Sequence, residues 1–457
     1  MGSESATTTT FRSSLRGQSF ASGEPGYDAA RVVFNRIIDR HPVLIARCAG
    51  AADVMACVRF ANEQGLTVSV RGGGHSIAGK AICDDGLMID LSAMKGIRVD
   101  QASRTVRAEP GLTISEFDRE TQAFGLATTM GVITTTGIAG LTLGGGMGWL
   151  IGKHGLACDN VIAMDVVTAD GRLVTASNRE NADLFWGMRG GGGNFGIVTS
   201  FEYRLHEVGP VLGGGVLYPL DQARDVLRFY RDFAAASPDE LSTQIGRLTT
   251  LDGIPVIGVA GCYCGSLAEG EKALAPLREF GAPIADLFGP ISYVQMQSMF
   301  DPWFPPGRQA YWKANFLHSL PDEAIDVFCE FAMTVPSPFT TGPWLEHLHG
   351  AVSRVGPTDT AFAHRQHPYN FLILSSWDDP SEAQRNIQWT RDCWDAMRQF
   401  MVAGAYVNYL EDEADPIARN AYGPNHERLV ALKNKYDPAN LFRINHNIRP
   451  TEGRHIR

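Results

Sequence analysis

Apolar residues recur in two rhythms along this chain, and the rhythm changes near Pro210. Before it, short apolar runs are separated by glycine and Asp-Gly turns. VLIARC at 43–48 reads as a strand, AADVMACVRFANE at 51–63 as a helix, and TVSVR at 67–71 as a strand, a β-α-β unit with short connections. LMIDLS follows the Asp-Asp-Gly turn at 84–86. TVRAEPG at 105–111 precedes a helix at 113–123. VIAMDVVT at 161–168 turns through Ala-Asp-Gly into RLVTAS as a hairpin, and GIVTSFEYRLH at 196–206 is a further strand. After Pro210, amphipathic helices at 219–236, 267–280, 321–334 and 381–401 alternate with apolar strands at 255–263, 345–354, 369–377 and 404–410. A helix at 425–435 and an Asn-rich loop close the chain and are too short to fold alone. The pattern predicts an α+β protein. It has a strand-rich unit over 21–210, an antiparallel sheet covered by helices over 211–410, and a return over 411–457 that packs on the first unit. Residues 1–20 are polar and are expected to be a disordered tail, neither signal peptide nor anchor.

Composition narrows the partners. The chain has 457 residues, more than one core can hold. Its formal charge of −10 argues against nucleic acid or an anionic membrane as partner. No apolar run is long enough to span a bilayer. The eight cysteines are scattered, with only Cys262 and Cys264 close together, which suits buried thiols in a reducing, cytoplasmic compartment. No metal-ligand spacing is present. A homo-oligomer stays open.

The 49 glycines cluster at 71–79, 137–148, 187–196 and 212–215, a sign of close backbone approach. Gly74-x-x-x-x-Gly79-Lys80 nearly spells a triphosphate-binding loop, but Ala81 replaces the metal-binding hydroxyl and a turn and strand follow, where a helix is required. Gly191-x-Gly193-x-x-Gly196 matches a dinucleotide fingerprint but opens a strand, not a helix. What survives is bare main chain, in RGGGHS at 71–76 and TTTGIAGLTLGGGMG at 134–148, able to aim N–H groups at a diphosphate.

RGGGHS, then TTTGIAGLTLGGGMGWLIGKHGLACDNV, FWGMRGGGGNFGIVTSFEYRL, AYVNY and DPANLFRINHNI, in this order, resemble the berberine-bridge-enzyme-like flavoprotein oxidases of the vanillyl-alcohol-oxidase and p-cresol-methylhydroxylase superfamily. The match covers about 40–210 and 404–450. The resemblance implies a two-part FAD-binding domain of the p-cresol-methylhydroxylase type and a separate substrate domain. It implies FAD bonded through its 8α-methyl group to His75, a neutral imidazole being a competent nucleophile. Doubly linked relatives carry a cysteine within G-x-C-x-x-x-G; here Gly131-Val-Ile133-Thr-Thr-Thr-Gly137 has Ile133 there, implying a single bond.

By the same resemblance Arg71, Gly72, Gly73, Gly74, Ser76 and Gly79 belong to the first cofactor loop. Gly131, Thr135, Thr136, Gly137, Gly140 and Gly145 belong to the second, with His154 and Asn160 beside it. Gly196, Ile197 and Val198 would take the adenine or ribose edge, and Tyr406, Asn408, Asn445 and Asn447 would approach the isoalloxazine. Oxidising an alcohol, sugar or amine by hydride transfer to the flavin also needs a base. Tyr406 and Tyr409 are the candidates on AYVNY; on an extended strand they would face opposite ways. In LEHLHGAVSR, Glu346, His347 and His349 sit among apolar residues; the histidines, His349 included, are read as pocket contacts and not as a metal pair. The small Thr136 favours O2 as acceptor, giving H2O2, over a dehydrogenase with another acceptor. A flavin-binding protein without turnover is the third reading.

Overall fold

The computed structural model describes residues 6–411 and 415–451. Three sheets organise them. In the first, Gln18–Ala21, Leu44–Arg47, Leu87–Asp90 and Val68–Arg71 lie in that order, the last three parallel. Short runs buried on both sides, such as LMID, suit a parallel sheet. In the second, Ile97–Asp100, Thr105–Ala108, Ile197–Arg204, Val161–Val167 and Leu173–Ser177 form an antiparallel sheet.

The third sheet has eight strands, centred on Val211–Pro219, Pro255–Tyr263, Leu241–Thr249, Thr341–His347, Tyr369–Trp377 and Gln309–Leu317 in that order. The helices Ala223–Ala235, Leu267–Glu279, Asp322–Met333 and Ala383–Met397 cover one face. Strand alternation sorts the side chains. Leu345, Phe371 and Ile373 pack under the helices, whereas Trp344, Leu372 and Leu374 form an apolar floor on the opposite face.

The end of the chain comes back. Tyr422, Leu429, Leu432 and Ile448 are buried in the core of the five-stranded sheet. Lys433 and Asp437 form a fully buried ion pair at 2.6 Å. The Lys433 ammonium also donates to the carbonyls of Asn194 and Phe442, so the return is pinned to the third glycine cluster. Residues 412–414 and 452–457 of the expected return lie outside the described residues.

Three expectations need correction. Residues 6–20 are not a loose tail: Ala6–Ser14 is a helix whose Phe11 stacks on Phe60 at 4.0 Å, and Gln18–Ala21 is a strand. One aromatic ring in a polar stretch was the whole signal; residues 1–5 of that tail lie outside the described residues. The stretch 345–354 is not one strand, because Gly350 at φ +62° turns the chain into a short helix, Ala351–Arg354. The stretch 404–410 is a 3-10 turn over Val407–Tyr409, not a strand. The glycine cluster at 212–215 does mark close backbone approach: it lies inside the strand Val211–Pro219, where a β-carbon on Gly214 would meet the Leu287 carbonyl oxygen at 2.3 Å.

Candidate active site

A cavity of about 860 Å³ runs from the first two sheets to the apolar floor of the third. Its upper wall is main chain. The two glycine loops touch: a β-carbon on Gly73 would lie 2.3 Å from the Gly137 nitrogen, so neither position accepts a side chain. The second loop is held by the start of the helix Ile114–Gln122. Its Thr113/Glu116 capping box ends the helix, and the otherwise orphaned N–H groups of Ile114 and Ser115 donate to the carbonyls of Thr136 and Thr134.

His75 projects from the first loop into the cavity, stacked on Phe34 at 4.0 Å. One ring nitrogen, Nε2, lies 2.8 Å from the Thr135 hydroxyl; the other, Nδ1, lies 3.4 Å from that of Thr136. The open side of the ring looks into the cavity rather than bulk water, and this desolvation pushes its pKa down to about 3. The imidazole is therefore neutral across the physiological range.

At the other end stands a polar row in an apolar floor. Gln244, Glu346 and Asn370 are cross-strand neighbours on three adjacent strands. Asn370 Nδ2 donates to Glu346 Oε2 at 2.8 Å, and the Tyr409 hydroxyl donates to Oε1 at 3.2 Å. Burial raises the Glu346 pKa to about 7, although both hydrogen bonds favour its ionised form. A carboxyl so placed exchanges a proton at neutral pH. Burial, and then the Glu346 charge, push the Tyr409 phenol well above its ordinary value.

The 3-10 turn brings the tyrosines together. Residues i and i+3 eclipse in this geometry, and the Tyr406 and Tyr409 rings meet edge to face at 5.0 Å. The Tyr406 hydroxyl accepts from the Gly146 N–H at 2.8 Å and from Asn408 Nδ2 at 2.7 Å. Asn408 also donates to the Leu141 carbonyl. Tyr406 thus braces the second glycine loop, while Tyr409 turns to the carboxylate.

The remaining sequence candidates divide. Gly72, Gly73, Gly74, His75, Ser76, Gly131, Thr136, Gly137, Gly140, Gly196, Ile197, Val198, Tyr406, Asn408, Tyr409 and Asn445 all line the cavity. Thr135 reaches it through His75, and Gly145 sits behind Tyr406.

Others do not line it. Arg71 is turned away: its guanidinium is spent on buried Asp90 and on the carbonyls of Ala30 and Val32, so it braces the loop from behind. The Gly79 carbonyl accepts from Arg40 in a turn off the wall. His154 stacks on His206 at 3.7 Å, and Asn160 bonds His206 and the His154 carbonyl, so this segment satisfies its polar groups among themselves. Asn447 also lies off the wall. His349 fails as a pocket contact: it stacks on His347 and donates to the Pro238 carbonyl, and His347 packs against Tyr369 on the helix-covered side.

Sequence reasoning passed over Glu346 as a candidate acid–base group. Its signal was an acidic residue out of phase with the buried Leu345, so that it shares a face with Trp344.

The residues present fit FAD. Gly140 offers bare main chain to open cavity, with nothing within 4 Å of where a β-carbon would stand. Glycine-only walls run on through Gly192 and Gly193 to Asn445, whose amide donates to the Gly193 carbonyl. Among the described residues no group of three or more His, Cys, Asp or Glu is placed to hold a metal ion. No helix among them is long and apolar enough to cross a membrane.

Comparison with known proteins agrees with this site. Residues 42–177 match the model of an FAD binding domain, and residues 405–449 match that of the berberine and berberine-like family. The chain is 32% identical to an FAD-linked oxidoreductase of Dictyostelium discoideum over 97% of its own length and 96% of that protein. The chain therefore belongs to the berberine-bridge-enzyme-like FAD-linked oxidoreductases. It is 29% identical to (R)-6-hydroxynicotine oxidase of Paenarthrobacter nicotinovorans, over 96% of this chain and 97% of that one. Among solved structures, 6-hydroxy-D-nicotine oxidase from Arthrobacter nicotinovorans superposes with a TM-score of 0.88 at 27% identity, covering 96% of this chain and 99% of that one. A chitooligosaccharide oxidase superposes with a TM-score of 0.86 at 26% identity, covering 97% and 100%.

Proposed function

We propose that this enzyme is an oxidase carrying FAD on His75 through one covalent bond, taking a hydride from a carbon that bears an alcohol or amine and passing the electrons to O2 to give H2O2. The relatives' names, a hydroxynicotine oxidase and a chitooligosaccharide oxidase, leave both kinds of donor open. The observation that carries the reading is that a neutral imidazole and a carboxyl titrating near pH 7 line one cavity.

Bound FAD would supply the hydride acceptor. The glycine loops, Asn408 and Asn445 would hold it, and Thr135 and Thr136 orient the His75 ring. Glu346 takes the proton from the substrate heteroatom, with Asn370 and Tyr409 fixing the directions of its two oxygens. Ile133 lines the cavity and, among the described residues, no cysteine does, which supports a single attachment. The small Thr136 supports access for O2.

Acid precipitation tests the attachment. Yellow colour stays with the wild-type pellet and leaves with the supernatant for His75→Ala; free flavin released from the wild type refutes the bond. Oxygen uptake with H2O2 formation supports the oxidase, whereas turnover with dyes and slow reoxidation in air would make it a dehydrogenase.

A further inference from the structure

The wall around Glu346 is unusually dry. Leu217, Leu248, Trp312, Trp344, Leu372 and Leu374 form one apolar cluster that lines this end of the cavity. The polar row that interrupts it is partly satisfied within the protein, with Asn370 Oδ1 left without a partner. The Trp344 indole donates to Gln244 Oε1, and both Glu346 oxygens already accept a hydrogen bond. Among the described lining residues the one cationic side chain is Lys80, on the first glycine loop and outside this row.

Large apolar side chains also stand at the mouth, with Asp252 among them. They come from two segments, the hairpin turn after Thr249 and the sheet-edge stretch around the strand Ala285–Asp286. These segments carry Leu251 at 73% exposure and Leu287 at 61%, with Ile254 and Ile284 beside them, all four lining the cavity. Large apolar side chains left in water around a cavity mark where an apolar molecule passes or rests.

A sugar brings several hydroxyls per ring, and each must find a partner or lose its hydration uncompensated. Of the polar row this floor presents only Gln244 and Glu346, with the Trp312 indole N–H beside them. A carboxylate substrate would be buried beside Glu346 with no cation to pair it. From these observations, and resting on the oxidase reading above, we infer that the substrate is an apolar, ring-bearing molecule with a single uncharged or cationic polar group. That group meets Gln244 and Glu346, and the apolar body extends outward between the Leu251 and Leu287 side chains.

The test uses the flavin-loaded protein, titrated without oxygen and followed by perturbation or bleaching of the flavin's visible absorption. The probes are benzylamine and benzyl alcohol, the same amine with a para-alkyl chain, cellobiose as the sugar and mandelate as the anion. The benzyl probes are expected to saturate at concentrations at least about tenfold below cellobiose and mandelate, and the alkyl chain to tighten binding further. Leu251→Ser and Leu287→Ser each change an exposed side chain. Each should raise half-saturation by the alkylated amine about fivefold while leaving the spectrum of the free enzyme unchanged. Cellobiose or mandelate binding as tightly as the benzyl probes, or no response to any benzyl probe, overturns the substrate class. Leu→Ser variants without effect overturn the outward path. A protein that holds no flavin refutes the oxidase reading and takes this inference with it. One that is bleached by dithionite yet prefers cellobiose refutes the substrate class alone.

Discussion

The Asp301 carboxylate accepts both the backbone N–H of Thr134, at 2.8 Å, and its hydroxyl, at 2.5 Å. Asp301 begins the turn Asp301–Trp303, whose Trp303 lines the substrate end and donates to the Thr249 carbonyl. Thr134 directly precedes Thr135 and Thr136, the two hydroxyls beside His75. A tripeptide therefore ties the aromatic substrate wall to the cofactor loop. Asp301→Ala and Thr134→Val should each raise KM more than they lower kcat. The double variant should be less than additive, with a coupling of about 1–3 kcal/mol in a double-mutant cycle.

Glu346→Gln should lower kcat by about a hundredfold or more while leaving flavin content unchanged. Wild-type kcat is expected to rise with pH through about 7, as the carboxyl loses its proton and can act as base. The variant should lose that limb of the profile, and a retained limb would assign the base elsewhere.

The same carboxyl sets a stability trend. Its folded pKa is raised from 4.5 to about 7, so between those values the folded state binds more protons than the unfolded one. Its contribution is full below the lower value and fades as pH rises through the upper one. Between about pH 5 and about pH 8, the Tm of Glu346→Gln should fall less than that of wild type.

Two glycines separate folding from cofactor binding. Gly73→Ala forces a β-carbon into the Gly137 backbone and should lower the Tm of the flavin-free protein. Gly140→Ala meets nothing in the protein and, lying within the helix Ile138–Gly144, should leave that Tm unchanged or slightly raised while reducing flavin stoichiometry. Equal effects of both variants on the flavin-free Tm would contradict the assignment of Gly140 to the cofactor wall.

Lys433→Met leaves Asp437 charged and buried, and should destabilise the protein by about 3–5 kcal/mol in chemical denaturation. Lys433→Met combined with Asp437→Leu should recover part of that loss, because no unpaired charge then remains.

Much of the fold could be read from periodicity. The β-α-β start, the helices Leu267–Glu279 and Asp322–Met333, and the strand Tyr369–Trp377 follow their apolar patterns closely. The strand Val211–Pro219 was hidden because three consecutive glycines remove the side-chain alternation that marks a strand. The site was legible where bare main chain is itself the signal, as at Gly73, Gly137 and Gly140. It was illegible where a polar side chain is chosen by what lies across the sheet. Arg71 looks like an anion ligand until Asp90, nineteen positions on, claims it. Glu346 looks incidental until Asn370 and Tyr409 converge on it.

The buried Lys433 contact has a temporal consequence. The cavity wall contributed by Phe442, Ile444, Asn445 and His446 is synthesised long after the glycine loops that it joins. A nascent chain can fold those loops early, but the chamber stays unfinished until this segment has emerged and docked. Cofactor loading should therefore wait for it, and chains truncated before Lys433 should emerge colourless.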